Sequence, residues 1–401
     1  MIFHVVKTQM TAPEFPQIPL VDMQAAANTG NQWVALTLRV DSAGVADATA
    51  AWHAVFANQD LLAAVAPLDC VVFIATPTIL TAALLELMPP NRVLFAIAAD
   101  ALAEEGAITR ITALHDEGYR ILIDGAAPAG VVVPPTLRAV SLDCADRMLS
   151  PNSLPALFGP HLARAVHSAA KVEQCARAGF SWFSGSYPLH PAPCETPDDG
   201  SSRKRLLSLL GLLAADAETR ELETLLKQDP ALAYQLLKLV NSAAFALSTP
   251  ITSFAQAIGL LGRRQLQRWL QLLLYARQRE DGLANPLLPV AALRAAQMES
   301  LCKQGGGDRD EQDLAFVVGV FSLLDVLLGI PMAEIVGALN LPDATAAALT
   351  ERSGALGRML RLVEAVAPSE EALREADVPP LHWWRSQLHA HHWAIQVSRN
   401  L

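Results

Sequence analysis

The side chains best suited to chemistry lie in a few local clusters. His389, His391 and His392 stand beside Trp383, Trp384 and Trp393 near the C-terminus. His389 and His392 are three apart, one face of a helix, a spacing that can hold a metal ion. The same spacing also suits a helix that packs its tryptophans inward and carries histidines at its edge, and this is the reading adopted. Arg203, Lys204 and Arg205 form one basic cluster, and Arg263, Arg264 and Arg268 another. Both read as solvated faces, the second with a role in docking an acidic partner, because the arginine fork makes paired hydrogen bonds to carboxylates. Five cysteines, Cys70, Cys144, Cys175, Cys194 and Cys302, are scattered with no CxxC pair. They read as isolated reduced thiols. No GxSxG, GxxxxGK[ST], HExxH or GxGxxG occurs, and Gly305-Gly306-Gly307 has no following lysine to make a phosphate cradle.

The elements that must position these residues fall into two halves. The first alternates β-rich runs with helical ones. Strands are expected at Ile2–Val6, Trp33–Val40, Cys70–Ala75, Arg92–Ala98, Arg120–Ile123, Ala139–Leu142 and Phe180–Phe183. Helices are expected at Val45–Phe56, Thr78–Leu87, Leu102–Glu117 and His161–Ala178. Such alternation predicts a parallel sheet or barrel with helices outside. After Gly185, proline, Asp, Gly and Ser dominate and periodicity vanishes, as in a linker. From Leu206 the pattern is leucine-rich and helical. Asp229-Pro230 starts a helix whose apolar stripe is Leu232, Leu236, Leu239 and Val240, with Asn241 and Ser242 interrupting it. Gly262 closes a second helix, and Arg263-Arg264 open a third that buries Leu266, Trp269, Leu270 and Leu273. Gly305–Gly307 and the charged run Asp308–Asp313 read as a loop.

Composition narrows the function. With 52% hydrophobic and 17% charged residues, the chain can bury more than one core. A net charge of −10 disfavours general nucleic-acid binding. The N-terminus MIFHVVKTQM lacks signal-peptide character, and runs such as Ala315–Ile330 contain Ser322 and Asp325 and fall short of a membrane span. A cytoplasmic protein is expected.

Leu236–Phe245, LLKLVNSAAF, followed by PITSFAQAIGLLG, resembles the core signature of the HDOD domain, an all-helical relative of HD phosphohydrolases that lacks the metal-binding His-Asp pair. The similarity runs from about Arg205 to near the C-terminus and includes Ala315–Leu328. The doublet position falls on Ser322-Leu323, with Asp325 two residues late.

The first half resembles the EAL fold of cyclic-di-GMP phosphodiesterases. The segments that carry this are WVALTLR (Trp33–Arg39), GYRILIDG (Gly118–Gly125), AVSLDC (Ala139–Cys144) and ARAGFSWFSGSYPLHPAP (Ala176–Pro193). Two-metal hydrolysis needs several strand-end carboxylates and a base or lysine near the attacking water. Here the motif glutamate falls on Ala35, the next ligands near Ala75 and Ala96, the lysine on Ser141, the late glutamates near Arg164 and His167, and the closing glutamine on Ser184. Asp124 survives with Gly125 as its partner position, and Asp143 survives. Arg39 matches the arginine that contacts ligand phosphate. The resemblance therefore implies an α/β plus all-α protein: a degenerate EAL-like (β/α) barrel at 1–193, a linker at 194–204 and an HDOD-type helical bundle at 205–401. It implies no catalytic residues, no metal and no cofactor. The expected function is a catalytically silent signalling scaffold acting through other signalling proteins. The alternatives are a cyclic-di-GMP sensor using Arg39, Asp124 and Asp143, and a phosphodiesterase with an unrecognised site.

Overall fold

The computed structural model describes residues 18–57, 60–191, 262–276, 283–339, 341–365 and 367–400, together with Gly211 and Gln256. The expected strand Ile2–Val6, the linker 194–204, the cluster Arg203–Arg205 and the stripe Leu232–Val240 lie outside these residues.

Eight strands close into a barrel in chain order: β1 (Val21–Ala27), β2 (Trp33–Val40), β3 (Asp69–Ile74), β4 (Val93–Ala98), β5 (Arg120–Asp124), β6 (Val140–Asp143), β7 (Leu162–Arg164) and β8 (Trp182–Phe183). β1 is antiparallel to both neighbours, and every other pair is parallel. The β1–β2 hairpin sets Asp22 opposite Arg39 and Ala26 opposite Ala35. The start of β1 therefore lies at the same barrel end as the C-terminal ends of the other strands.

Strand alternation divides inside from outside. Ala26, Ala35, Val71, Leu94, Ala96, Leu122 and Leu162 fill the barrel interior. Their alternates, including Leu36, Leu38, Cys70, Val72 and Phe95, pack outward against α1 (Val45–Ala57), α2 (Asp60–Ala64), α3 (Ala82–Leu85) and α4 (Ala107–Asp116). The β5–β6 and β6–β7 connections contain no α-helix. After β7, Ser168 caps α5 (Ala169–Ala178) by accepting from the Lys171 N–H (3.3 Å), and Gly179 ends it at φ +111°.

Several expectations for this half change, among them the helix Thr78–Leu87, which is a 3-10 turn at Pro77–Ile79 followed by the short α3, and β1, which the pattern does not mark. The run His161–Ala178 splits into β7 and α5, because a three-residue strand is too short to show periodicity. Leu102–Glu117 begins with a 3-10 turn, Ala99–Ala103, and its helix starts only at Ala107 after Gly106 in the left-handed region.

The second half is helical throughout its described residues: α6 (Arg263–Leu273), α7 (Leu287–Gln304), α8 (Arg309–Phe321), α9 (Leu324–Leu328), α10 (Met332–Leu339), α11 (Asp343–Glu351), α12 (Gly354–Glu364), α13 (Glu370–Glu375) and α14 (Pro380–Asn400). Leu266, Trp269, Leu270 and Leu273 are buried, as the spacing predicts. The charged run Asp308–Asp313 is not a loop. Asp308 accepts from the Asp310 and Glu311 N–H groups (3.0 and 2.9 Å) while Glu311 accepts from the Asp308 N–H (2.8 Å), a reciprocal cap that starts α8. Gly319 on α8 meets α7, where a Cβ would stand 2.6 Å from the Ala295 Cα.

α14 belongs to both cores. Ala394 and Val397 join the bundle, whereas Trp384, Leu388 and Ile395 join the apolar layer outside the barrel. His391 is buried against Trp33, 6.2 Å between ring centroids, and His392 Nδ1 lies 3.1 Å from the Ala64 carbonyl. The histidines are thus not all at the helix edge. The helix is pressed between two hydrophobic cores, and its middle histidine goes inside.

Candidate functional site at the barrel mouth

At the mouth, two arginines converge on one carboxylate. Arg164, at the end of β7, sets its Nη2 2.9 Å from Asp124 Oδ1 and donates from Nε to the Ser141 hydroxyl (3.0 Å). Arg39, on β2, places Nη2 3.7 Å from Asp124 Oδ2. Its guanidinium lies 3.6 Å over the Phe73 ring, with Arg164 5.4 Å from the same ring. The parallel register explains the meeting: Asp124 pairs with Ser141 across β5 and β6, Arg164 stands two residues further toward the mouth, paired with Asp143 across β6 and β7, and Phe73 packs on the interior cluster from β3.

The neighbours complete the electrostatics. Asp22 accepts from Gln24 Nε2 (3.1 Å), and the Ser184 hydroxyl reaches Gln24 Oε1 at 3.4 Å. Burial raises the Asp22 carboxyl above its usual value, against the Gln24 hydrogen bond and Arg39. Burial first, then the Arg164 charge, lowers Arg39, while Asp124 and Asp22 oppose that shift. Arg39 Nη2 is sealed from solvent and has no hydrogen-bond partner.

Of the three residues expected to contact nucleotide, Arg39 and Asp124 meet directly. Asp143, level with Arg164 across β6 and β7, is exposed at the mouth, where its charge acts on Arg39, and it accepts from the Ala145 N–H (3.1 Å). Arg164 is the residue that sequence reasoning undervalued, because it sits in a strand that the pattern hid. Alanines at 35 and 96 lie in the apolar interior. Among the described residues no three His, Cys, Asp or Glu side chains group to hold a metal ion. A pair of divalent cations does not fit here: the retained carboxylate already carries two guanidinium neighbours, and further positive charge would meet repulsion.

The helical half shows the same pattern. At Ser322, where the resemblance would put the His-Asp doublet, the hydroxyl accepts from Arg294 Nη1 (3.0 Å) and donates to the Gly319 carbonyl (2.8 Å). Buried Arg294 also reaches Glu364 (3.3 Å), which Arg352 grips through two nitrogens at 2.8 Å each. The arginines expected to form a free docking face are engaged internally. Arg264 pairs with Asp313 (2.5 Å), and Arg268 bridges Glu299 (2.6 Å) and Asp313 (2.8 Å) beneath the Phe316 ring. Arg263 opens the helix.

Residues 204–324 match the HDOD domain family. The closed barrel precedes this matched segment in the chain. The chain is 28% identical over 258 residues to the cyclic di-GMP phosphodiesterase CdgJ of Vibrio cholerae, a match covering 63% of this chain and 59% of that protein. It is also 28% identical over 208 residues to the uncharacterized protein YuxH of Bacillus subtilis, covering 51% and 50%. The chain thus matches between half and three-fifths of the length of these relatives. Among solved structures, the phosphodiesterase PaMucR in its c-di-GMP complex aligns with 42% of this chain and 94% of its own, at 14% identity and a TM-score of 0.34.

Proposed function

We propose that this chain is a cytoplasmic signalling scaffold in cyclic-di-GMP-related regulation that does not hydrolyse the nucleotide and acts on other signalling proteins. One observation carries the reading: Asp124, the mouth carboxylate at the end of β5, is neutralised from within by Arg164 and Arg39. A hydrolytic centre needs that carboxylate free to hold a cation and activate water. The likeness to a protein named as a cyclic di-GMP phosphodiesterase supports the signalling context. The Arg263, Arg264 and Arg268 face remains the expected docking surface, and an acidic partner there would compete with Asp313 and Glu299 for Arg264 and Arg268.

A second reading, a non-hydrolysing cyclic-di-GMP sensor, is favoured by the sealed, unpartnered Arg39 Nη2 over Phe73, since guanidinium groups pair well with phosphate. Calorimetric titration of the full chain with cyclic di-GMP separates the two. The scaffold reading expects no saturable heat. Saturable one-site binding that is lost in Arg39→Ala moves the assignment to the sensor.

A further inference from the structure

α14 stands out for what it lacks. Its 21 residues, PLHWWRSQLHAHHWAIQVSRN, contain no Asp or Glu, in a chain whose net charge is −10. Trp384, Leu388, His391 and Ile395 are buried. Arg385, His389, His392 and Arg399 are exposed, and half-buried Gln396 completes their row. The intervals along that row alternate between four and three residues, which averages to the repeat of paired helices and keeps the row on one line. From Arg385 to Arg399 it runs about 21 Å, at the usual helical rise. The row lies where the two cores meet. His392 Nδ1 stands 3.1 Å from the Ala64 carbonyl at the end of α2, on the barrel side. On the bundle side, Gln304 at the end of α7 donates to the His382 carbonyl (3.3 Å), and the preceding Lys303 is exposed. Glu299, an α7 carboxylate whose charge reaches His389, is held by Arg268 at 2.6 Å. Among the described residues, neither Arg385 nor Arg399 has an ion-pair partner.

We propose that the exposed row of α14 docks a helix of a partner protein that carries glutamates or aspartates at the same alternating intervals. Charge complementarity argues for this occupant. Arg385 and Arg399 frame the row, and each guanidinium can take a carboxylate through two hydrogen bonds. No carboxylate on α14 itself competes for them or repels an acidic partner. The straight row suits a partner that is itself a helix, because only a second rod presents charges along one line over that length. The acidic remainder of the chain repels a phosphate backbone, so a protein carboxylate is the anion that fits. The inference names the partner's chemistry and rests on the scaffold reading only for the existence of a partner. Because α14 contributes to both cores, the docked helix would lie on the element that joins barrel and bundle.

The test uses the full-length protein and two fluorescein-labelled synthetic helices as long as α14, built from Ala, Gln and Glu. One sets its glutamates at alternating intervals of four and three residues; the other has the same composition with the glutamates spread around the helix. Fluorescence anisotropy should show saturable binding of the patterned peptide, about tenfold or more tighter than that of the spread one. Arg385→Glu combined with Arg399→Glu should weaken it by about tenfold or more. Arg361→Glu, an exposed reversal on α12, should leave it unchanged. The comparison of the two peptides on the unaltered protein decides the proposal even where a variant folds poorly. Equal affinity for both peptides, or binding of neither, would overturn it. So would tighter binding of a labelled single-stranded oligonucleotide, which gives the face to nucleic acid, or self-association abolished by the double reversal, which gives it to a second copy. The scaffold reading is tested separately, by nucleotide titration and turnover, so its failure and this one are distinguishable.

Discussion

Arg164 is the side chain on which the mouth depends. Its charge is paired at 2.9 Å with a carboxylate whose side chain is only 15% exposed. Arg164→Ala leaves Asp124 facing the more distant Arg39 and removes a hydrogen bond from Ser141. The expected loss is about 1–3 kcal/mol, from the usual strength of charged hydrogen bonds, read by urea unfolding. A change within surface noise would show that solvent replaces the pair. His391 makes a second prediction. It is sealed against Trp33, its Nδ1 engages the Gln387 carbonyl (2.8 Å), and burial lowers its pKa to about 4. The unfolded chain takes up a proton near pH 6.5 and the folded one does not until about pH 4. Stability from this group is therefore complete above pH 6.5 and falls as the pH drops from 6.5 to 4. Unfolding curves across that window should slope accordingly, and His391→Gln should flatten the slope.

At the level of elements, glycine separates packing from propensity. Gly319→Ala drives a Cβ into the Ala295 backbone where α7 and α8 cross, and should cost about 1–3 kcal/mol or more. Gly337→Ala, in α10 with open space around it, should instead stabilise by about 0.4–1 kcal/mol. Thermal unfolding of the two variants checks both signs. Element legibility follows the same physics. Long runs with clear periodicity, such as β2, α1 and α6, stand in the sequence almost residue for residue. β7 does not, because three residues carry no period, and its invisibility hid Arg164. The cap at Asp308 reads as a loop in the sequence because a helix's acidic first turn resembles a charged loop when considered alone. The Arg268 bridge is not legible in the sequence, because its groups are distant along the chain and meet only after packing.

Across the whole molecule, α14 makes the halves interdependent. The leucine-rich pattern predicts a helical domain complete in itself, yet Trp384, Leu388 and Ile395 cover the barrel's outer layer. An isolated fragment 205–401 would expose them, and should unfold at lower urea than the same domain in the full chain. Trp384→Ala should cost about 3–5 kcal/mol and be felt by both halves. The same scale holds the proposed function, in which the internal pairing of Asp124 with Arg164 and Arg39 leaves the barrel able to bind or dock but not to turn over nucleotide. The most direct measurement incubates the full-length protein with cyclic di-GMP and magnesium or manganese, and follows the linear dinucleotide by chromatography. No product above buffer is predicted. Product that rises in proportion to protein, and is lost in Asp124→Asn, would contradict the account.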